Sequence, residues 1–309
     1  MIVTMKDIVK RYRGHTALDH LNLTVKQGEV IGLLGPNGAG KTTAIRVLTG
    51  LTGADAGEVK LFGEKVSRNI KRKIGLVPQD LALYETLSAR DNLEYFGKLY
   101  GVYADELKKH VDETLEILGL TDVAKKAPKK FSGGMKRRLN IGCAMIHKPE
   151  LLILDEPTVG IDPQSRNHIL DFVSEVNKQG TTVLYTSHYM EEVERVCSRV
   201  CIMDAGRVIA DGDVEELTRS VIFEETITLE VKEPAPSLPE QIKKIQGVVN
   251  CEIQNRRITV TSAANSGNIA RILEIAAPYT ILGVSAHKAT LEDAFLALTG
   301  KKLRDGGEA

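Results

Sequence analysis

Short apolar runs punctuate the first two-thirds of the chain, and amphipathic stretches fill the gaps between them. Glu29-Val30-Ile31-Gly32-Leu33-Leu34, Leu151-Leu152-Ile153-Leu154, Thr182-Val183-Leu184-Tyr185 and Val200-Cys201-Ile202-Met203 each read as a strand of the buried type. The start, Met1 to Asp7, reads as another strand, and Thr42 to Leu48 has helical character. Such alternation predicts an α/β unit built on a largely parallel sheet. Between about Leu81 and Ala144 helices take over. Ser88-Ala89-Arg90-Asp91 forms a capping box ahead of the run Asn92 to Tyr100, and Asp105 to Leu118 places leucine, valine and isoleucine at helical spacing.

Past residue 213 the pattern resets. Pro234, Pro236 and Pro239 interrupt a charged stretch expected to include an exposed loop. The order from there is strand (Thr226 to Val231), helix (Leu238 to Ile245), strand (Val248 to Ile253), strand (Arg257 to Thr261), helix (Asn268 to Ala277) and strand (Thr280 to Ser285). That βαββαβ order predicts a ferredoxin-like fold. In a last helix, Leu291 to Leu298, the apolar positions Leu291, Ala294, Phe295 and Leu298 are expected on one packed face. The expected domains are 1–218, with a helical subdomain over about 81–144, and an α+β accessory domain over 219–300. The polar tail 301–309 is expected to be mobile.

Composition changes this picture little. The 309 residues supply ample apolar content for two cores, and 41 Lys plus Arg balance 41 Asp plus Glu. Zero net charge argues against a general nucleic-acid or anionic-membrane surface, so no nucleic-acid partner is expected. Cys143, Cys197, Cys201 and Cys251 form no Cys-x-x-Cys pair and have no His cluster at metal-ligand spacing, which points to buried thiols in a reducing compartment. No segment has the length and apolarity of a membrane span, and the start lacks the features of a secretion leader. A role at a membrane would therefore need a membrane part from another chain.

The chemistry concentrates after the first buried strand, in Gly35-Pro36-Asn37-Gly38-Ala39-Gly40-Lys41-Thr42, with Thr43 entering the helix. Glycines at 35, 38 and 40 let backbone N–H groups wrap a phosphate, Lys41 supplies a point charge, and the Thr42 hydroxyl suits Mg²⁺. ATP and Mg²⁺ are the expected cofactors. Asp155 and Glu156 leave the carboxyl end of a buried strand, where α/β sheets place their sites. Asp155 is suited to hold Mg²⁺ and Glu156 to orient or deprotonate an attacking water. By itself Asp-Glu-Pro is also a helix start.

Together these motifs resemble the ATP-binding subunit of an ABC transporter, across the first two-thirds of the chain. Phe131-Ser132-Gly133-Gly134-Met135-Lys136 is similar to the family's Leu-Ser-Gly-Gly-Gln signature, with Ser132, Gly133 and Gly134 retained. Read alone, Ser-Gly-Gly is an ordinary turn and helix cap. The resemblance implies that these three residues face the γ-phosphate of ATP held by another protomer, at a helix N-terminus. It also implies that Gln79 senses Mg²⁺ and the membrane partner, and that His188 contacts the γ-phosphate. Asp162, in Val159-Gly160-Ile161-Asp162, would couple two sites across a dimer, and Tyr12 would stack on adenine, though strand packing is an alternative for Tyr12.

Met135, Phe131 and the Val-Gly-Ile-Asp loop depart from the family pattern, Met135 standing where the family signature has its glutamine. Leu291-Glu292-Asp293-Ala294-Phe295 resembles the closing motif of drug-resistance and sodium-extrusion ATPases of the ABC-2 exporter type. The resemblance thus implies a P-loop ABC-type domain, ATP hydrolysis by a homodimer, and a separate integral-membrane permease that keeps the subunit cytoplasmic, peripheral on the inner face of the cell membrane. The competing classes are a soluble ABC ATPase acting on nucleic acid or ribosomes, and a small-molecule kinase. The accessory domain would regulate, dimerise or merely cover the ATPase.

Overall fold

Wholly apolar runs bounded by turns become central strands, because only a position covered on both faces rewards an unbroken apolar sequence. In the computed structural model, which describes residues 1–221, 224–263, 266–287 and 290–300, every residue of the three runs at Val30–Leu34, Leu151–Asp155 and Thr182–Thr186 is buried. The tail expected to be mobile lies outside the described residues. Two compact units divide the chain, Met1–Val214 and Glu215–Gly300.

The first unit runs β1 (Val3–Tyr12), β2 (His15–Val25), β3 (Val30–Leu34), α1 (Lys41–Leu48), β4 (Ala56–Leu61), β5 (Glu64–Lys65), α2 (Arg68–Lys71), β6 (Ile74–Val77) and α3 (Ala89–Tyr100). It continues with α4 (Ala104–Ile117), α5 (Gly133–Met145), β7 (Leu151–Asp155), α6 (Pro163–Lys178), β8 (Thr182–Thr186), α7 (Met190–Val196), β9 (Arg199–Asp204) and β10 (Arg207–Gly212). A six-stranded sheet has the order β10-β9-β3-β8-β7-β6, parallel except for the β9–β10 hairpin. Its register sets Asp155 beside Thr186 at the carboxyl ends of β7 and β8.

One correction concerns a second sheet. Sequence pattern predicts one largely parallel sheet, yet β2-β1-β4-β5 form a separate antiparallel sheet. Register shifts in β1 between Met5 and Ile8 and again before Lys10 and Arg11 interrupt its period-two alternation, which hides the hairpin from a pattern reading. The main core joins the two sheets: Val3, Met5, Leu21 and Leu23 pack in one cluster with Ile31, Leu33, Ile153 and Leu184, and with Ile45 and Leu48 of α1. Helix α3 starts on the expected capping box, with the Ser88 side chain accepting from the Asp91 N–H, and stops at Gly101. All four cysteines are free and buried, and burial raises each thiol's pKa.

Helix α8 (Val214–Val221) begins at the boundary of the units. Beyond it come β11 (Glu224–Val231), α9 (Leu238–Ile242), β12 (Val248–Gln254), β13 (Arg257–Ala263), α10 (Asn268–Ala276), β14 (Ile281–His287) and α11 (Leu291–Thr299). The strands form an antiparallel sheet of order β12-β13-β11-β14. Alternate residues Ile227, Leu229 and Val231 of β11, with Ile258 and Val260 of β13, share a core with Leu238, Ile242 and Ile272 of the helices. In α11, Leu291, Ala294 and Phe295 are buried, but Leu298 is 37% exposed, so the packed face is shorter than the spacing predicts. Leu298 belongs to the last turn, which ends at Gly300 with φ +66°.

Candidate active site

The loop between β3 and α1 packs close against neighbouring backbone where glycine carries no side chain. Gly40 has φ +102°, and a Cβ there would lie 2.6 Å from the Ala17 carbonyl oxygen. Beside the loop is a cavity of about 400 Å³ lined by Tyr12, His15, Ala17, residues 37–43, Gln79 and Glu156. Asn37, Gly38, Ala39, Gly40, Lys41, Thr42 and Thr43 thus share one wall, while Gly35 and Pro36 sit behind it as carbonyl acceptors for Lys41 Nζ, at 2.7 and 3.3 Å. Lys41 is buried, which depresses its pKa, and its ammonium is 3.6 Å from Glu156 Oε1.

Two adjacent carboxylates are held in opposite electrostatic settings. Asp155 is buried, and desolvation raises its pKa against hydrogen bonds from the hydroxyls of Thr186, at 2.9 Å, and Thr42. Glu156 has its pKa lowered, chiefly by the His188 ring, whose Nδ1 is 3.7 Å from Oε2, and next by Lys41. Gln79 Nε2 donates to the same Oε2 at 3.3 Å. Glu156 also holds a left-handed backbone at φ +49°, and its N–H donates to Thr186 Oγ1 at 2.9 Å. A strained backbone of this kind costs about 1–3 kcal/mol and persists where the surroundings fix it. Lys41, Gln79, Asp155, Glu156 and His188 are therefore brought together.

Ser132, Gly133, Gly134 and Asp162 do not join that cavity. Ser132 is the N-cap of α5, its Oγ accepting from Met135 N–H at 3.3 Å, and both Ser132 and Gly133 are exposed. Gly134 is buried against α6, where a Cβ would overlap the Ser165 side chain. Asp162 caps α6 by accepting from the Ser165 N–H at 2.9 Å. The signature turn and the Asp162 loop thus pack on each other, apart from the phosphate loop of the same chain.

Several supporting residues escaped the sequence reading. Arg137 of α5 donates to the carbonyl oxygens of Pro78 and Gln79 at 3.1 and 2.8 Å, clamping the Gln79 turn. Asn140 accepts from Ala82 N–H, and the buried Asn92 both accepts from and donates to the backbone of Tyr84. The β9–β10 turn supports the phosphate loop, with Gly206 N–H donating to the Ala39 carbonyl at 3.0 Å. Only the buried polar side chains inside otherwise helical stretches hinted at the first three. Nothing local marked Gly206.

The family model described as ABC transporter matches residues 18–159. Over 307 residues the chain is 44% identical to the linearmycin resistance ATP-binding protein LnrL of Bacillus subtilis, covering 97% of this chain and 99% of that protein. This chain belongs to the ATP-binding proteins of ABC transporters. It is also 36% identical to Nod factor export ATP-binding protein I of Cupriavidus metallidurans, with 98% of this chain and 99% of that one covered. Among solved structures, a dimeric post-hydrolysis ATP-binding cassette bound to ADP and phosphate matches with a TM-score of 0.63 at 27% identity, over 68% of this chain and 98% of that chain. As a member of this family, the protein is an ATPase of the P-loop ABC fold with mixed sheets. No described helix is long and apolar enough to cross a membrane.

Proposed function

We propose that this ABC ATPase powers an exporter as a head-to-tail pair of identical subunits docked on a separate integral-membrane permease, peripheral on the inner face of the cell membrane. The observation that carries the reading is the split site: the cavity is lined by Tyr12, the phosphate loop, Gln79 and Glu156, and by none of Ser132, Gly133 and Gly134. An exposed serine-glycine-glycine helix start offers N–H groups and a positive dipole end to a second protomer's γ-phosphate. Export is favoured by the resistance and export names of relatives matched nearly end to end.

In this reading Tyr12 stacks on adenine, residues 35–43 cradle the phosphates, and Glu156 orients the attacking water and takes its proton. Gln79 and His188 position that carboxylate and face the γ-phosphate, while Asp162 ties the signature turn to α6. Magnesium fits the donor set, a buried carboxylate beside a hydroxyl at the phosphate loop. Asp155 and the Thr42 hydroxyl are adjacent, and Mg²⁺ typically takes one or two such ligands plus phosphate oxygens and waters. Gln79 completes the proposed ligands. The ion would neutralise charge developing on the phosphates.

The permease would dock beside the Gln79 turn, where Leu81, Tyr84 and Tyr95 are exposed. Tyr84 and Tyr95 stand edge to face with ring centroids 4.7 Å apart. An exposed aromatic pair of this kind suits a protein partner. Residues 1–218 would form the ATPase domain and 219–300 an accessory domain whose strand order is that of the ferredoxin-like fold. Co-purification from membranes should recover one integral protein, and reconstitution should couple ATP turnover to efflux. Full-rate turnover independent of protein concentration, with no integral protein recovered, would sink the proposal.

A further inference from the structure

Glu192, on α7, is 2% exposed and belongs to none of the motifs above. One of its oxygens, Oε2, accepts three hydrogen bonds: from Thr158 Oγ1 at 2.7 Å, Tyr185 OH at 2.8 Å and Ser187 Oγ at 2.8 Å. Thr158 lies two residues after Glu156, and Ser187 immediately precedes His188. The other oxygen faces Arg166 Nε of α6 at 3.3 Å, and that guanidinium lies 4.6 Å over the ring of Tyr189, the residue after His188. Ser187 Oγ also accepts from Tyr189 N–H at 2.9 Å, which closes the turn holding His188.

A buried carboxylate is expensive unless it is answered: Oε2 spends its lone pairs on the two segments that carry Glu156 and His188, while Oε1 has no hydrogen bond and meets only the charge of Arg166. We propose that Glu192 is a positioning residue: it fixes the Glu156 loop and the His188 loop in one geometry, so that carboxylate and imidazole face the γ-phosphate together. Through Arg166 the same carboxylate reaches α6, whose first turn carries Asp162 and Ser165 against Gly134. The hub therefore links the catalytic groups of one site to the cap offered to the other. The inference rests on the roles proposed above for Glu156 and His188.

Glu192→Gln keeps the shape of the side chain and sets an amide N–H₂ against either Arg166 or the three hydroxyl donors. Displacing reacting groups by about an ångström costs on the order of 10²-fold. The full-length variant should lose ~10–100-fold in kcat while ATP Kd, measured with a fluorescent nucleotide, stays within about two-fold, because Tyr12 and the phosphate loop are untouched. In a His188→Ala background the same replacement should cost only a few-fold, since coupled groups are not additive. Unchanged kcat, or an equal and additive loss in both backgrounds, overturns the proposal. If Glu192→Gln does not fold, Ser187→Ala and Thr158→Val each remove one donor and must show the same split. Should Glu156→Gln and His188→Ala themselves leave turnover intact, the site assignment fails, and the hub with it.

Discussion

The cavity around Lys41 and the turn at Ser132 handle polar groups in opposite ways within one unit. At the cavity, charge is buried and internally answered: Lys41 is shared by Gly35, Pro36 and Glu156, and Glu156 by Gln79 and His188. At the turn, Ser132 and Gly133 are exposed and the helix start is answered by the cap alone. The first holds its lysine and its carboxylates in one place before any anion arrives. The second stays open to solvent, as the composite site proposed above requires of its other half.

Removing the proposed base tests the cavity side most severely. Glu156→Gln should cut ATP turnover by ~10²–10⁴ while leaving nucleotide binding intact. Light scattering should then find a stable dimer with ATP and Mg²⁺, and a persistent monomer would break the contrast. Next, Lys41→Ala and Ser132→Arg should each be inactive, but an equimolar mixture should recover roughly a quarter of wild-type turnover. Half of the randomly formed pairs would then hold one intact composite site of two. No recovery on mixing would mean that the phosphate loop and the Ser132 turn act within one chain.

Tyr12→Ala should weaken ATP binding by ~1–3 kcal/mol without changing kcat, as read by titration at several Mg²⁺ concentrations. The smallest effect is on stability. Asp155, with its pKa raised by burial, makes its ionised form a cost at neutral pH, a cost removed as pH falls through that raised pKa. Asp155→Asn should therefore raise Tm at pH 7 by ~2–4 °C for each kcal/mol relieved, a gain that shrinks on acidification, while Mg²⁺-dependent turnover is lost. Glu156, held low chiefly by His188, contributes stability present above its ordinary value of 4.5 and lost as pH falls through its folded pKa. Glu156→Gln should accordingly lower Tm at pH 7, and calorimetry should find that deficit closing below about pH 4.5.

Strands covered on both faces, helix caps and the phosphate loop were legible because each obeys a local rule: an unbroken apolar run, a serine ahead of an acid, glycines beside a lysine. The four-stranded antiparallel sheet was not, since bulges in β1 shift the phase of its alternation partway along. Gln79, Asp155, Glu156 and His188 could be named in advance, whereas Arg137, Asn92 and Glu192 could not. Their roles depend on partners up to 59 residues away, as in the bond from Arg137 to Pro78. Leu298 shows the limit of spacing as a guide, since periodicity gives a face without saying how far its cover extends.

Gly206 donates to Ala39, and Asp19 N–H donates to the Gly206 carbonyl at 3.0 Å, so residues near the start, the phosphate loop and the β9–β10 turn are laced together. Yet the chain leaves the ribosome from one end. A nascent polypeptide that already displays its glycine-lysine motif still lacks the brace under it until residue 206 emerges. Affinity for nucleotide should therefore arise late in synthesis.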